Sequence, residues 1–251
     1  SDAKGGQILA NTVLKRGINS VAVTYTNNDY GKGLADVFEA SFTSSGGTVT
    51  AVASHEDGKA DYSSEVGVLA SAGGDALVVI GYLDQGGKGM IEASLDSGAF
   101  DLFVLSDGMI GQSIVDAIGS DLDGSFGTLP GTQSKGSAKF AELAAANGMD
   151  AASPYVGESY DAAALIALAI QSGGSADRKS ILMNIRKVGN APGIIIHPGQ
   201  LSYGLQMLAE GKKIDYQGAT DVEFNAFGDA YGAFREMEVG GGGFNFVGMA
   251  E

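Results

Sequence analysis

The 251-residue chain contains no cysteine and only two histidines, His55 and His197. Thiol chemistry and cysteine-ligated zinc are therefore excluded, and a histidine metal site would need both imidazoles to converge. No stretch approaches the roughly 18 consecutive apolar residues of a membrane-spanning helix. The opening SDAKGGQ is polar and does not read as a secretory signal sequence. Cations are scarce: 15 Lys and Arg stand against 30 Asp and Glu, for a net charge of −15. Such a field repels phosphate backbones and anionic lipid, which argues against nucleic acid or a membrane surface as a partner.

Several site motifs are also missing. Gly-Lys-Gly occurs at Gly31–Gly33 and again at Gly87–Gly89, but neither completes a dinucleotide fingerprint or a P-loop. Glycines easing a strand-to-helix turn are the better reading. DLDGS, Asp121 to Ser125, opens like a calcium loop, yet its glycine arrives too early and no glutamate follows at the ligand spacing, so it reads as a tight turn. There is no G-x-S-x-G elbow. His55 lies in a charged HEDGK stretch and His197 precedes a proline, which leaves no nucleophile–base–orienter set. No cofactor, metal or catalytic residue is expected.

What is present is a globular composition, 44% hydrophobic with 40 glycines gathered at segment ends. Helix and strand signals alternate through the first half. A helical stripe (Ile8, Leu9, Val13, Leu14) precedes the strand SVAVTY, then a helix over Gly33–Phe42 and the strand TVTAVASH. A helix over Tyr62–Ala72, the strand DALVVIGY, a helix over Gly89–Ser97 and the strand DLFVLSD follow. A helix over Ile110–Ile118 and the strand SFGTL close the series. The strands are short and apolar without clean alternation, as in a parallel sheet covered on both faces. This predicts a doubly wound α/β domain.

After Thr128 the pattern changes. Helices are expected over Ser137–Ala146, Ser153–Ser172 and Ala176–Val188, then short strands in GIIIHPG, VEFN, AYGAFREMEV and FNFVGM. The last two flank Gly240–Gly243, which suits a hairpin turn. A second compact unit is inferred, with the final hairpin returning to the first.

Three side chains fall at the carboxyl ends of successive strands: Tyr30 after SVAVTY, Tyr82 closing VVIGY, and Asp107 in VLSDG. In a doubly wound sheet these positions face one crevice. Two aromatic walls and one carboxylate suit an apolar group that carries a positive charge. Surface tyrosines and a helix-capping aspartate are the plainer alternative, and spacing alone does not choose between them.

SDAKGGQILA, TYTNNDYGKGLADVFEASF, VVIGY, SPYVGESYDAAALIALAI and YQGATDVEFNAFGDAYGAF together resemble the periplasmic substrate-binding proteins of branched-chain amino acid ABC transporters. The resemblance implies the type I periplasmic-binding fold, two α/β lobes joined by a hinge that close over a ligand, and a receptor rather than an enzyme. It implies one nearly complete lobe from residues 1–129 and 223–251. Residues 130–222 would form only the second half of the other lobe, so that the chain begins at the first crossover. By position, the family's ligand-contacting aromatics fall on Tyr30, Tyr82 and Tyr155, and its ammonium-binding acid falls on Asp107, where leucine-binding relatives carry glutamate. The implied ligand is an amino acid or similar small molecule, the implied partner an ABC permease and the implied location the periplasm. A ligand-sensing domain of a signalling protein is the alternative.

Overall fold

The computed structural model describes residues 2–251. The chain begins with α1 (Asp2–Lys15), β1 (Ser20–Thr26), α2 (Asp29–Ser44), β2 (Thr48–His55), α3 (Ser63–Ala72) and β3 (Ala76–Ile80). It continues through α4 (Gly86–Ser97), β4 (Phe103–Leu105), α5 (Gln112–Ile118) and β5 (Phe126–Pro130). Then follow α6 (Lys135–Ala146), α7 (Val156–Gly173), α8 (Arg178–Gly189), β6 (Ile194–Ile196), α9 (Leu201–Ala209) and β7 (Ile214–Tyr216). The hairpin β8 (Phe234–Gly240) and β9 (Gly243–Ala250) ends it. Two compact units result: one runs to Pro130 and resumes at Phe234, and the other is Gly131–Ala233.

The first unit is the expected doubly wound α/β domain. Its seven strands run in the order β2-β1-β3-β4-β5-β8-β9, with β1 to β5 mutually parallel and β8 and β9 antiparallel. Every residue of β3 is buried, as are Val21 to Val23 of β1. One face packs on Leu69, Met90, Ile91 and Met109, and the other on Leu9, Val13, Phe38 and Phe42. Burial on both faces explains why these strands carry no polar alternation. Phe38 is fully buried and stacks on Phe42 at 5.3 Å, so truncating it to alanine should cost about 3–5 kcal/mol.

The terminal hairpin is held to this sheet by sequence-distant chemistry. Arg16, just past α1, donates to Glu236 at 2.6 Å and to Glu238 at 2.7 Å, and its guanidinium lies 4.0 Å over the Phe126 ring. The hairpin turns at Gly241 and Gly242, both at positive φ (63° and 86°), the backbone that a two-residue type I′ loop requires.

In the second unit α7 buries Ala164, Leu165, Leu168 and Ala169 against β6, β7 and their neighbours, while Ile166 stays about half exposed. β6 and β7 form a two-stranded parallel sheet. Two expectations need correction here. VEFN is not a strand: Phe224 makes only an isolated bridge to Ala230. The segment after Ile196 is not purely strand either, because LSYGLQMLA forms α9, with Leu201, Leu205 and Leu208 packed at helical spacing. Helix starts also shift. α2 begins at Asp29, four residues before Gly33, because the Asn28 side chain caps it by accepting the Gly31 N–H at 2.8 Å.

Candidate functional site

In the order β2-β1-β3-β4 the chain reverses direction between β1 and β3, which makes the carboxyl ends of those strands the topological switch point. Tyr30, in the first turn of α2, follows β1. Tyr82 follows β3, and Asp107 opens a short 3-10 turn (Asp107–Met109) after β4. The parallel topology thus brings three sequence-distant side chains together at one edge of the sheet.

Their geometry is specific. The Tyr30 and Tyr82 rings stack with centroids 5.4 Å apart and planes 27° from parallel. The Tyr30 hydroxyl donates to Asp107 Oδ1 at 2.8 Å and lies 3.3 Å from Ser106 Oγ. Asp107 Oδ1 also accepts the Gly108 N–H at 3.0 Å. Two donors thus fix one oxygen, while Oδ2 takes no hydrogen bond from the described residues. Fixing a carboxylate in this way lowers the cost of ordering it when a cation arrives.

Two further residues hold the arrangement. Ser106, buried at 1% exposure, accepts the Gly81 N–H at 3.3 Å, and so links the loop after β4 to the loop carrying Tyr82. Gly108 permits the close approach of the two loops. A Cβ there would stand 2.4 Å from the Gly81 carbonyl oxygen and 3.3 Å from the Tyr30 hydroxyl. Neither was identifiable as a site residue from sequence, because each acts through contacts between distant loops. Beside Asp107 lies a small cavity of about 80 Å³, lined among others by Leu9, Leu34, Ser106, Thr128 and Phe234.

Beneath the Tyr82 loop lies His55, at the end of β2 and 1% exposed. Its Nδ1 pairs with Thr24 Oγ1 at 2.8 Å, its ring meets Tyr62 edge-on, and its Nε2 has no hydrogen-bond partner among the described residues. Burial pushes this imidazole below its ordinary pKa, against the pull of Asp57, Glu65 and Glu56. Asp57 accepts from Thr26 at 2.7 Å and from the Gly86 N–H at 3.0 Å, which ties the loop after β2 to the start of α4. The two histidines belong to different units, and no cluster of three or more His, Asp or Glu capable of holding a metal occurs among the described residues.

Tyr155 belongs to the second unit, so the structure does not group it with the other three within one unit. It precedes α7 at φ 62°, in the left-handed region, and is 42% exposed. A non-glycine residue held there costs roughly 1–2 kcal/mol. It lines an apolar hollow of about 370 Å³ with Phe140, Met149, Pro154, Val156 and Tyr160. One turn into α7, Asp161 is buried and accepts four hydrogen bonds, from Tyr216 Oη (2.7 Å), the Ala219 and Thr220 N–H groups (2.8 Å each) and Thr220 Oγ1 (2.7 Å). Burial pushes its carboxyl up while the donors hold it down. Sequence reasoning passed over Asp161 because it sits inside an apolar helical run.

Fold and crevice together define an α/β binding protein. The chain belongs to the periplasmic binding protein family, whose profile matches residues 2–204. A search of curated protein sequences found no match. Among solved structures, a leucine-binding protein from Thermotoga maritima is 23% identical, with a TM-score of 0.79 over 100% of this chain and 66% of its own. A branched-chain amino acid transporter substrate-binding protein from Streptococcus pneumoniae, in complex with isoleucine, is 19% identical, with a TM-score of 0.73 over 99% and 66%. A solute-binding protein of an ABC transporter from R. palustris, in complex with benzoate, is 15% identical, with a TM-score of 0.72 over 99% and 63%. The chain therefore spans just under two thirds of the length of these structures. The likeness establishes the type I periplasmic-binding fold and leaves the ligand to the residues of the site.

Proposed function

We propose that this chain is the ligand-binding part of a solute receptor that captures an amino acid or similar small molecule and delivers it, chemically unchanged, to an ABC permease from the periplasm. The observation that carries the reading is the oriented carboxylate. Asp107 Oδ1 is fixed by Tyr30 and Gly108, next to the stacked rings of Tyr30 and Tyr82 at the switch point. A carboxylate in such a place is complementary to an ammonium, and stacked rings suit the apolar or cationic body attached to it. In this reading Tyr155 is the second unit's aromatic contribution, supported by its left-handed backbone and its apolar hollow.

The structural neighbours include proteins bound to isoleucine and to benzoate, ligands with and without an ammonium. Asp107 favours the first kind, because a carboxylate facing benzoate would set like charges together. Calorimetry against a panel of amino acids and of ammonium-free aromatic acids tests this. Binding confined to amino acids is the expected result. Preference for benzoates would overturn the assignment of Asp107.

A further inference from the structure

The second unit contains a cavity of about 470 Å³ where α7, α8 and α9 end and β6 and β7 begin. Four cations line it, Arg186, Lys187, Lys212 and Lys213, and no acidic residue does. This is more than a quarter of the 15 basic side chains in a chain with 30 acidic ones, so the concentration runs against the overall charge. Lys212 pairs with Glu210 at 2.7 Å. The other three have no carboxylate within salt-bridge distance among the described residues. Arg186 donates to the Asn225 carbonyl at 2.6 Å and Lys187 to Asn184 Oδ1 at 3.1 Å, both neutral acceptors.

Cations in a last helical turn often do no more than complement the helix dipole, so magnitudes must decide. Each helix carboxyl end carries about half a negative charge, and three such ends offset about one and a half of the positive charges. Glu210 offsets another, and the Glu223 carboxylate accepts the N–H of the lining residue Ala191 at 3.1 Å, so the surplus rests on Arg186, Lys187 and Lys213, which make no ion pair among the described residues. Position points the same way: Arg186 and Lys187 lie in the last turn of α8, but Lys212 and Lys213 lie beyond α9, on the lead into β7. The cavity falls within the roughly 300–1,000 Å³ typical of small-molecule sites.

We propose that this cavity binds a small multivalent oxyanion, a di- or tricarboxylate or a phosphorylated metabolite, with Lys187 and Lys213 as its principal charge partners and Arg186 and the Ser172 hydroxyl beside them. The site lies wholly in the second unit and does not depend on the ligand proposed for the first.

The test is a heteronuclear NMR titration of the chain with sodium citrate and, separately, sodium phosphate, each against sodium chloride at equal ionic strength. Saturable amide shifts confined to residues around 186–193 and 211–214 are expected, and the anion that saturates first separates carboxylate from phosphate chemistry. Lys187→Gln and Lys213→Gln should each weaken binding by about fivefold, the upper end for an exposed ion pair, and the double variant should lose saturation. Lys179→Gln, at an exposed position near the start of α8, should change nothing. Shifts that chloride reproduces equally, or a double variant that binds as the parent does, would overturn the proposal. The map on the unaltered chain decides the matter even where a variant folds poorly.

Discussion

The Tyr30 hydroxyl and Asp107 Oδ1 are 2.8 Å apart, a hydrogen bond between residues 77 positions apart in sequence. It fixes one oxygen of the carboxylate in place. Replacing Asp107 by Asn removes the charge and keeps the shape. Truncating one member of a desolvated charge pair costs roughly 2–5 kcal/mol, so affinity for an amino acid should fall at least about tenfold. Calorimetry showing unchanged affinity in Asp107→Asn would remove Asp107 from the site. Tyr30→Phe should give a smaller loss than Asp107→Asn, because the charge remains and Gly108 still holds Oδ1.

Gly31 and Gly33 make opposite predictions although they share a Gly-Lys-Gly motif. A Cβ at Gly31 would stand 2.1 Å from the Thr26 carbonyl oxygen, whereas one at Gly33 meets nothing within 4 Å. Both residues lie in the first turns of α2. Gly33→Ala should therefore raise stability by about 0.5–1 kcal/mol through helix propensity and unfolded-state entropy. Gly31→Ala should lower stability and disturb Tyr30, its neighbour. Equal melting temperatures for the two variants would contradict the packing at Thr26.

The first unit was legible in the sequence because its strands are short apolar runs bounded by polar turns, and the helices between them keep a helical stripe. Tyr30, Tyr82 and Asp107 were legible for the same reason: parallel topology gathers the carboxyl ends of β1, β3 and β4. Ser106 and Gly108 were not, since their roles arise only where two loops touch. β7 is Ile-Asp-Tyr, interrupted by a carboxylate, so it lacks the apolar run that marks the equally short β4 and β6. The cavity cations sit at 186–187 and 212–213, and only the fold brings these pairs to one wall.

Asp161 should be a strong determinant of stability in the second unit. Asp161→Asn replaces one acceptor oxygen by an NH2 group. The Tyr216 or Thr220 hydroxyl at that position can turn to accept from it, but a backbone N–H, that of Ala219 or of Thr220, is left facing a donor whichever way the amide turns. A buried donor left unsatisfied costs about 1–3 kcal/mol, and a loss in that range is expected from chemical denaturation. A variant as stable as the parent would show that the carboxyl is protonated in the folded chain, as burial alone would favour.

The last prediction concerns pH. Burial disfavours the charged form of His55 and lowers its pKa in the folded chain, while in the unfolded chain it titrates near 6.5. Between those two values the unfolded chain holds a proton that the folded chain does not. The stabilisation is therefore fully present above the unfolded pKa and declines as pH falls below about 6.5, with a slope of up to about 1.4 kcal/mol per pH unit. His197 has the same sign, lowered by burial and then by Lys139 and Lys135. Asp161 and Asp215 have the opposite sign, since burial raises both carboxyls and the folded state then takes up protons more readily. Total stability thus mixes contributions, and the difference between parent and His55→Asn isolates one. Asparagine keeps a polar atom near Nδ1 for Thr24 and removes the titration. Denaturation curves at pH 7, 6 and 5 should show the parent losing more stability than the variant over this range. Parallel losses would mean that His55 takes up its proton in the folded state, with Asp57, Glu65 and Glu56 outweighing burial.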